Sequence, residues 1–205
     1  MLHIIQFRHP DPREPIIGAM FEARKRVFID LLRWDLPITD DRFEIDEFDS
    51  AYAIYLVVTD RSGAHLASAR LLPTDRPHIL GTLFAELCED EVPVGPKTFE
   101  ITRFCLERRI ATSARRAARD TLVAAIADFA LAHGIDTYTG VAELGWLQQI
   151  LAFGWYCQPL GLPRVVGGMM LGALEIRIDR ETPARLAENG IVTDALTALE
   201  LRHAA

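Results

Sequence analysis

The chain has 205 residues, half of them hydrophobic and a quarter charged, which is enough for one substantial core and reads as a single domain over 1–205. With 29 acidic against 22 basic residues, the net charge of −7 excludes a general nucleic-acid binder and leaves any basic patch local. Cys88, Cys105 and Cys157 are far apart and form no C-x-x-C pair, and the opening MLHIIQFRHP is too short and too polar for a signal peptide or membrane span. The expectation is a cytoplasmic chain with no disulfide framework, no metal and no membrane insertion.

Residues 2–8 read as a first strand, ended by the three prolines of PDPREP. From Ile16 to about Leu32, apolar positions at three- and four-residue spacing predict one amphipathic helix, with Arg24, Lys25 and Arg26 as a basic strip. Thr39 to Ser50 is dense in carboxylates yet holds Phe43, Ile45 and Phe48, so it reads as a structured loop. Ala51–Thr59 and Ala64–Leu72 predict a hairpin around the turn Asp60–Gly63, with Arg70 late on its second strand.

Ile79–Cys88 reads as a short helix with Leu80, Leu83, Phe84 and Leu87 on one side. Thr112 or Ser113 can cap a long helix to His133, with Ala114, Ala117, Thr121, Ala125 and Phe129 along its inner face and Gly134 as its stop. Ile135–Val141 is a strand, Glu143–Phe153 a helix, and Met169–Ile178 a strand reached by a Gly/Pro-punctuated crossing from Trp155 to Gly168. Thr182-Pro183 and Thr193 are start signals for closing helices. The order predicts an α/β (α+β) fold with helices on both faces of one mixed sheet.

Between the hairpin and the long helix lies KTFEITRFCL, Lys97 to Leu106, which sets Glu100 and Arg103 in an apolar strand-like run. Opposite charges there need partners or a substrate. Either the two pair with each other and fix the fold, or they serve a site. Side chains alternate on a regular strand, so the two would point apart, and one charged site for both calls for a β-bulge between Ile101 and Phe104. His65, His78 and His133 show no metal-ligand spacing and read as surface or packing residues, and the cysteines as buried apolar ones.

Set in order, Arg24, Phe28, Trp34, the run Glu44 to Asp49, Arg70 to Thr74, Phe84, and E-x-T-R-F at Glu100 to Phe104 resemble the LuxI-type N-acyl-homoserine lactone synthases. Phe99 and Thr102 depart from that pattern, where the family commonly has Trp and Ser. The resemblance implies a GNAT-like fold with a splayed central strand pair. It also implies transfer of an acyl group from an acyl carrier protein or coenzyme A thioester to S-adenosylmethionine, giving an acyl-homoserine lactone and methylthioadenosine. S-adenosylmethionine is then a co-substrate, and no cofactor is called for.

A sulfonium with an amine, a carboxylate and an adenine needs carboxylates, a cation and aromatic faces, which Asp46, Asp49, Arg24, Phe28 and Trp34 supply. Glu100 is the expected base, directly or through one water, and Arg103 and Arg70 the cations beside it. Phe84, Thr102, Phe104 and Trp146 are expected against substrate, with Leu80, Leu83 and Leu151 bordering an acyl pocket. In the resembled family a hydroxyl residue just after the strand following the long helix goes with 3-oxo donors. Ala142 stands there, which points to unsubstituted or 3-hydroxy chains.

Arg108, Arg109, Arg115, Arg116 and Arg119 form a local basic patch suited to an acidic carrier protein, or a solvated helix face. An ordinary N-acetyltransferase would carry a glycine-rich pyrophosphate loop where this chain reads ERRIATSARRAA. A non-catalytic sensor of acyl signals would have no use for Glu100.

Overall fold

A computed structural model describes residues 1–7, 11–192 and 199–203. Arg8 and the Thr193 helix start lie outside the described residues. Two compact units are interleaved along the chain, one built from Met1–Leu71, Arg103–Val123 and the C-terminal strand, the other from Leu72–Thr102 and Ala124–Val192.

In the first unit, β1 (Leu2–Gln6) pairs in parallel with β11 (Leu199–His203) and antiparallel with β4 (Ile54–Thr59). β4 returns as β5 (His65–Pro73) through the expected turn, where the Asp60 carboxylate accepts the N–H groups of Ser62 and Ala64 at 2.8 and 2.9 Å. Gly63 sits there at φ 86°, a conformation open to glycine at little cost.

The expected helix over 16–32 is two pieces. α1 (Pro15–Arg24) starts on Pro15 and buries Ile17, Met20, Phe21 and Arg24. Lys25–Leu31 then continues as a wider π-helix, the kind of insertion that re-aims side chains. Val27 and Phe28 pack on Ala23 and Cys105, while Arg26 reaches Glu107 at 2.8 Å. The supposed basic strip therefore does not exist as a surface, because Arg24 is only 1% exposed. Thr39 to Ser50 is structured as expected, with β2 (Ile38–Thr39) and β3 (Phe43–Glu44) joined by a tight turn in which Asp40 and Asp41 are both left-handed.

β6 (Thr98–Leu106) begins in the second unit and ends in the first, as does, in the opposite sense, α3 (Thr112–His133). Gly134 closes α3 at φ 69°. The buried positions of α3 include Ala118, Leu122, Ala125, Ile126 and Phe129, whereas Ala114 and Ala117 are exposed, so the inner face begins a turn later than the small residues suggest.

Within the second unit the strand order is β6, β7 (Thr137–Glu143), β10 (Met169–Arg177) and β8 (Tyr156–Pro159), with β9 (Arg164–Val166) also on β10. β6 and β7 run parallel and the others antiparallel, so the sheet is mixed. The crossing from Trp155 to Gly168 thus contains two strands where none was expected. Both are short and bracketed by Pro159 and Pro163, which hides them from a reading by turn residues. α2 (Ile79–Leu83), a 3₁₀ turn Ala85–Leu87, α4 (Leu144–Leu151) and α5 (Thr182–Glu188) complete the unit. The Tyr138 hydroxyl donates to the Ile126 carbonyl of α3 at 3.1 Å, and Val141 packs against the apolar cluster that includes Leu80 of α2, so β7 carries helices on both faces.

Candidate active site

The first unit concentrates six charges in its interior. Arg24 donates through both terminal nitrogens to Asp49, each at 2.8 Å, and through Nε to Glu44 at 2.5 Å. Arg70 grips both oxygens of Asp46, at 2.5 and 3.1 Å, and lies 2.8 Å from Asp49. Arg103 bridges Glu44 at 3.0 Å and Asp46 at 2.6 Å. None of the six side chains is more than 9% exposed. Three guanidiniums face three carboxylates, and further donors complete the set: the Tyr55 hydroxyl to Asp49 at 2.8 Å, and the Asp46 and Phe48 N–H groups within the loop.

Burial alone would raise the Asp49 carboxyl, but Arg24 and Arg70 outweigh it and hold it far below the usual carboxylate range. Arg24 is likewise pulled down by burial and pushed well up by Asp49 and Glu44. This buried lattice of ion pairs ties the loop after β3 to β5 and β6. Breaking one pair of such a buried set costs about 3–5 kcal/mol, since the other charge is left uncompensated.

The lattice alters several sequence expectations. Arg24 is closed off by its two carboxylates, so its part in the site runs through Glu44 and Asp49 rather than by its own reach. Glu44 is completely buried and pairs with two arginines, a site role that its place at the head of the Glu44 to Asp49 run does not by itself reveal. Tyr55 is likewise unmarked by its strand-like neighbourhood. Phe28 and Trp34 stack with centroids 4.9 Å apart, and the Arg103 guanidinium lies 5.7 Å from the Phe28 ring.

The break expected in β6 is present at Arg103, a non-glycine residue at φ 49°. Burial shows its effect, for Glu100 and Thr102 are inward and then the phase slips by one, so that Cys105 is the next buried residue. The parallel ladder to β7 runs from Thr98 opposite Thr137 to Glu100 opposite Thr139 and stops there. The left-handed backbone, at a cost of about 1–2 kcal/mol, turns Arg103 toward Glu44 and Asp46.

Glu100 itself belongs to the second unit and is fully buried. Its Oε1 accepts the Leu80 N–H at 2.9 Å, so the first turn of α2 holds the carboxylate. The Leu80 side chain meanwhile joins Leu87, Leu171 and Ala173 in an apolar bed against which Phe84 and Val141 pack. Leu83 and Leu151, expected to border the acyl pocket, are instead 50% and 37% exposed. Trp146 meets Phe153 edge-on at 5.7 Å. Ala142 is buried inside β7, opposite Gly172, and not just beyond the strand's end as expected. Thr102 is buried, and Phe104 half-buried.

Of the five arginines of the basic patch, Arg108, Arg109 and Arg116 are exposed and Arg115 and Arg119 half-buried. Arg109 pairs with Glu107 at 3.2 Å, and Arg119 with Asp120 at 2.6 Å, so part of the patch is neutralised locally. Burial pushes the Cys105 thiol up to about 12, which leaves it no thiolate character at neutral pH. His65 is buried and pushed down to about 4 by that burial, donating or accepting at Ser68 Oγ, while His133 stacks on Phe129. Among the described residues no cluster of His, Cys, Asp or Glu has metal-site geometry, and no helix is long and apolar enough to cross a membrane.

Residues 12–186 match the family model described as autoinducer synthase. An acyl-homoserine-lactone synthase of Ralstonia nicotianae (strain ATCC BAA-1114 / GMI1000) is 33% identical over 183 residues, spanning 86% of this chain and 89% of that one. Among solved structures, TofI in a ternary complex with an inhibitor and MTA is 29% identical with a TM-score of 0.74, covering 91% and 96% of the two chains. The CoA-dependent acyl-homoserine lactone synthase BjaI, solved with SAM and isopentyl-CoA, reaches a TM-score of 0.83 at 24% identity and covers 100% and 94%. A putative N-acetyltransferase from Lactobacillus plantarum shares the fold at a TM-score of 0.55 and 14% identity, over 87% of this chain and 98% of that one.

Proposed function

The chain belongs to the autoinducer synthase family and is an acyltransferase that makes acyl-homoserine lactone, and from that premise we propose how its residues divide the work. S-adenosylmethionine is the acyl acceptor, placed by the faces of Phe28 and Trp34 and by the Asp46 carboxylate, with Asp49 buried behind it as part of the frame. Arg24, Arg70 and Arg103 hold those carboxylates in place. Preorganisation of this kind is what positions a flexible substrate for two successive reactions.

Glu100 is the base. A free α-amine has a pKa of about 7.7–8.0, so the enzyme needs only to collect one proton as the nitrogen attacks the thioester. The observation that carries this assignment is the Leu80 N–H to Glu100 contact, because one residue both fixes the carboxylate and contributes to the apolar bed. An acyl chain on that bed has its thioester end beside the base. Backbone N–H groups of β6 beyond Glu100, where the ladder to β7 stops, are the donors available to the developing oxyanion. Thr102 and Phe104 flank them. In the second step the substrate's own carboxylate displaces methylthioadenosine, so no protein nucleophile is used, in keeping with the inert Cys105.

The donor is an acyl thioester. Exposed Arg108 and Arg116, with Arg115 beside them, suit the acidic helix of a carrier protein, whereas a coenzyme A donor needs no such docking. Release of methylthioadenosine from purified protein with S-adenosylmethionine and either acyl donor, followed by mass spectrometry of the lactone, tests the assignment. No methylthioadenosine with any donor contradicts the assignment.

A further inference from the structure

α2 opens on His78, whose backbone is extended at φ −142° and whose carbonyl accepts the Thr82 N–H at 3.0 Å. A side chain in that place usually turns back to accept the N–H two or three positions on. The His78 ring makes no such bond. Its Nδ1 lies 2.9 Å from the Arg76 carbonyl, and since a carbonyl only accepts, Nδ1 is the donor. The Leu80 N–H, which a capping side chain would otherwise take, is left to Glu100. His78 is 5% exposed and its Nε2 is buried without a hydrogen-bond partner, so contact rather than a second hydrogen bond holds the outer edge of the ring. That contact is with Gly81. A β-carbon at residue 81 would stand 2.7 Å from both Cε1 and Nε2, far inside the separation at which heavy atoms pack, so glycine is required while the ring stays. The backbone does not ask for it, because Gly81 is not among the residues of positive φ, and alanine is the better helix former.

We infer, resting on Glu100 as the base, that His78 and Gly81 are positioning residues for the acyl transfer. The ring, tied to Arg76 and seated on Gly81, sets the first turn of α2 so that the Leu80 N–H meets the Glu100 carboxylate. A helix of five residues has no stability of its own with which to aim that N–H. Burial of the Ile79 and Leu80 side chains anchors the turn, and the ring on Gly81 limits how it rotates. A methyl group on residue 81 displaces either the ring or the turn. The ring is enclosed and bonded to Arg76, so the turn gives way, and a misplacement of about 1 Å away from the reacting atoms slows a reaction by up to about 10²-fold. Neither residue touches substrate.

Gly81→Ala, His78→Ala and the double variant are made in the parent and in Glu100→Gln. Methylthioadenosine release at saturating acyl donor gives kcat and the S-adenosylmethionine KM, and melting temperature is read on the same preparations. Gly81→Ala should lower kcat about tenfold and His78→Ala about fivefold, with KM unchanged and the fold retained. The double variant should match His78→Ala alone, because without the ring no atom stands closer than 3.5 Å to the added methyl group. In Glu100→Gln none of the three should slow the remaining turnover further, since no base is left to position. A pair that only supports the fold would lower melting temperature and leave kcat as it is. Near-parental kcat in either single variant overturns the inference, as does an undiminished Gly81→Ala loss once His78 is removed, or a loss that persists in Glu100→Gln. Should Gly81→Ala fail to fold, the double variant decides: recovery of the fold and of the His78→Ala rate supports the pair, and continued unfolding overturns it. Near-parental turnover of Glu100→Gln by itself defeats the base assignment instead, whatever His78 and Gly81 do.

Discussion

Arg24 holds Asp49 through both of its terminal nitrogens, each 2.8 Å from a carboxylate oxygen, and the two side chains are 1% and 0% exposed. A pair so completely removed from water contributes its stability only while both members are charged. Asp49 is depressed below its unfolded value, so its contribution is whole above about pH 5 and is lost as pH falls toward its folded pKa. Asp49→Asn should therefore cost about 3–5 kcal/mol at pH 7 and progressively less on acidification. Urea unfolding of parent and variant at neutral and acidic pH checks this. An equal difference at both pH values would mean that the Asp49 charge is not what stabilises the loop.

Arg103 makes a second, backbone-level prediction. In an ordinary strand, alanine is preferred to glycine by roughly 0.5–1 kcal/mol, but a left-handed residue reverses the order. Both Arg103→Ala and Arg103→Gly lose the ion pairs to Glu44 and Asp46, so comparing them isolates the φ of 49°. Arg103→Gly should be the more stable of the two by about 1 kcal/mol. If Arg103→Ala is the more stable in chemical denaturation, residue 103 is not left-handed in solution.

Trp34 is half-buried and stacked on Phe28, which leaves part of its surface available to a ligand. Trp34→Ala should weaken S-adenosylmethionine binding about tenfold, the scale of one aromatic contact with a cation or base. Calorimetric titration measures it directly. Unchanged affinity would assign Trp34 to packing alone. Arg24→Ala is a poorer probe of the same site, since it leaves Glu44 and Asp49 buried without their partner.

The charged positions were legible in the sequence because a carboxylate-rich run and a strand carrying Glu100 and Arg103 violate the usual rule that strands are apolar. Even the break at Arg103 could be argued, from two charges that alternation would set apart. Which of those charges meet each other was not legible. Arg24 reads as part of a basic helical strip, and only the π-helical turn after it and the closeness of Glu44 and Asp49 show it to be interior. Leu83 and α3 residues Ala114 and Ala117 misled for a related reason. Periodicity finds an apolar face, but the length of the element decides how much of that face is covered. Strands β8 and β9 were invisible because their pairing with β10 is set by register in three dimensions, and their flanking prolines look like loop.

The central claim is that Glu100, held by the Leu80 N–H at 2.9 Å, collects the amine proton, and Glu100→Gln tests it with little change of shape. The measurement is single-turnover release of methylthioadenosine by Glu100→Gln, with S-adenosylmethionine affinity and melting temperature read on the same preparation. Loss of a positioned base predicts a fall in rate of about 10²–10⁴-fold, with binding and fold retained. Turnover within a few-fold of the parent would contradict it.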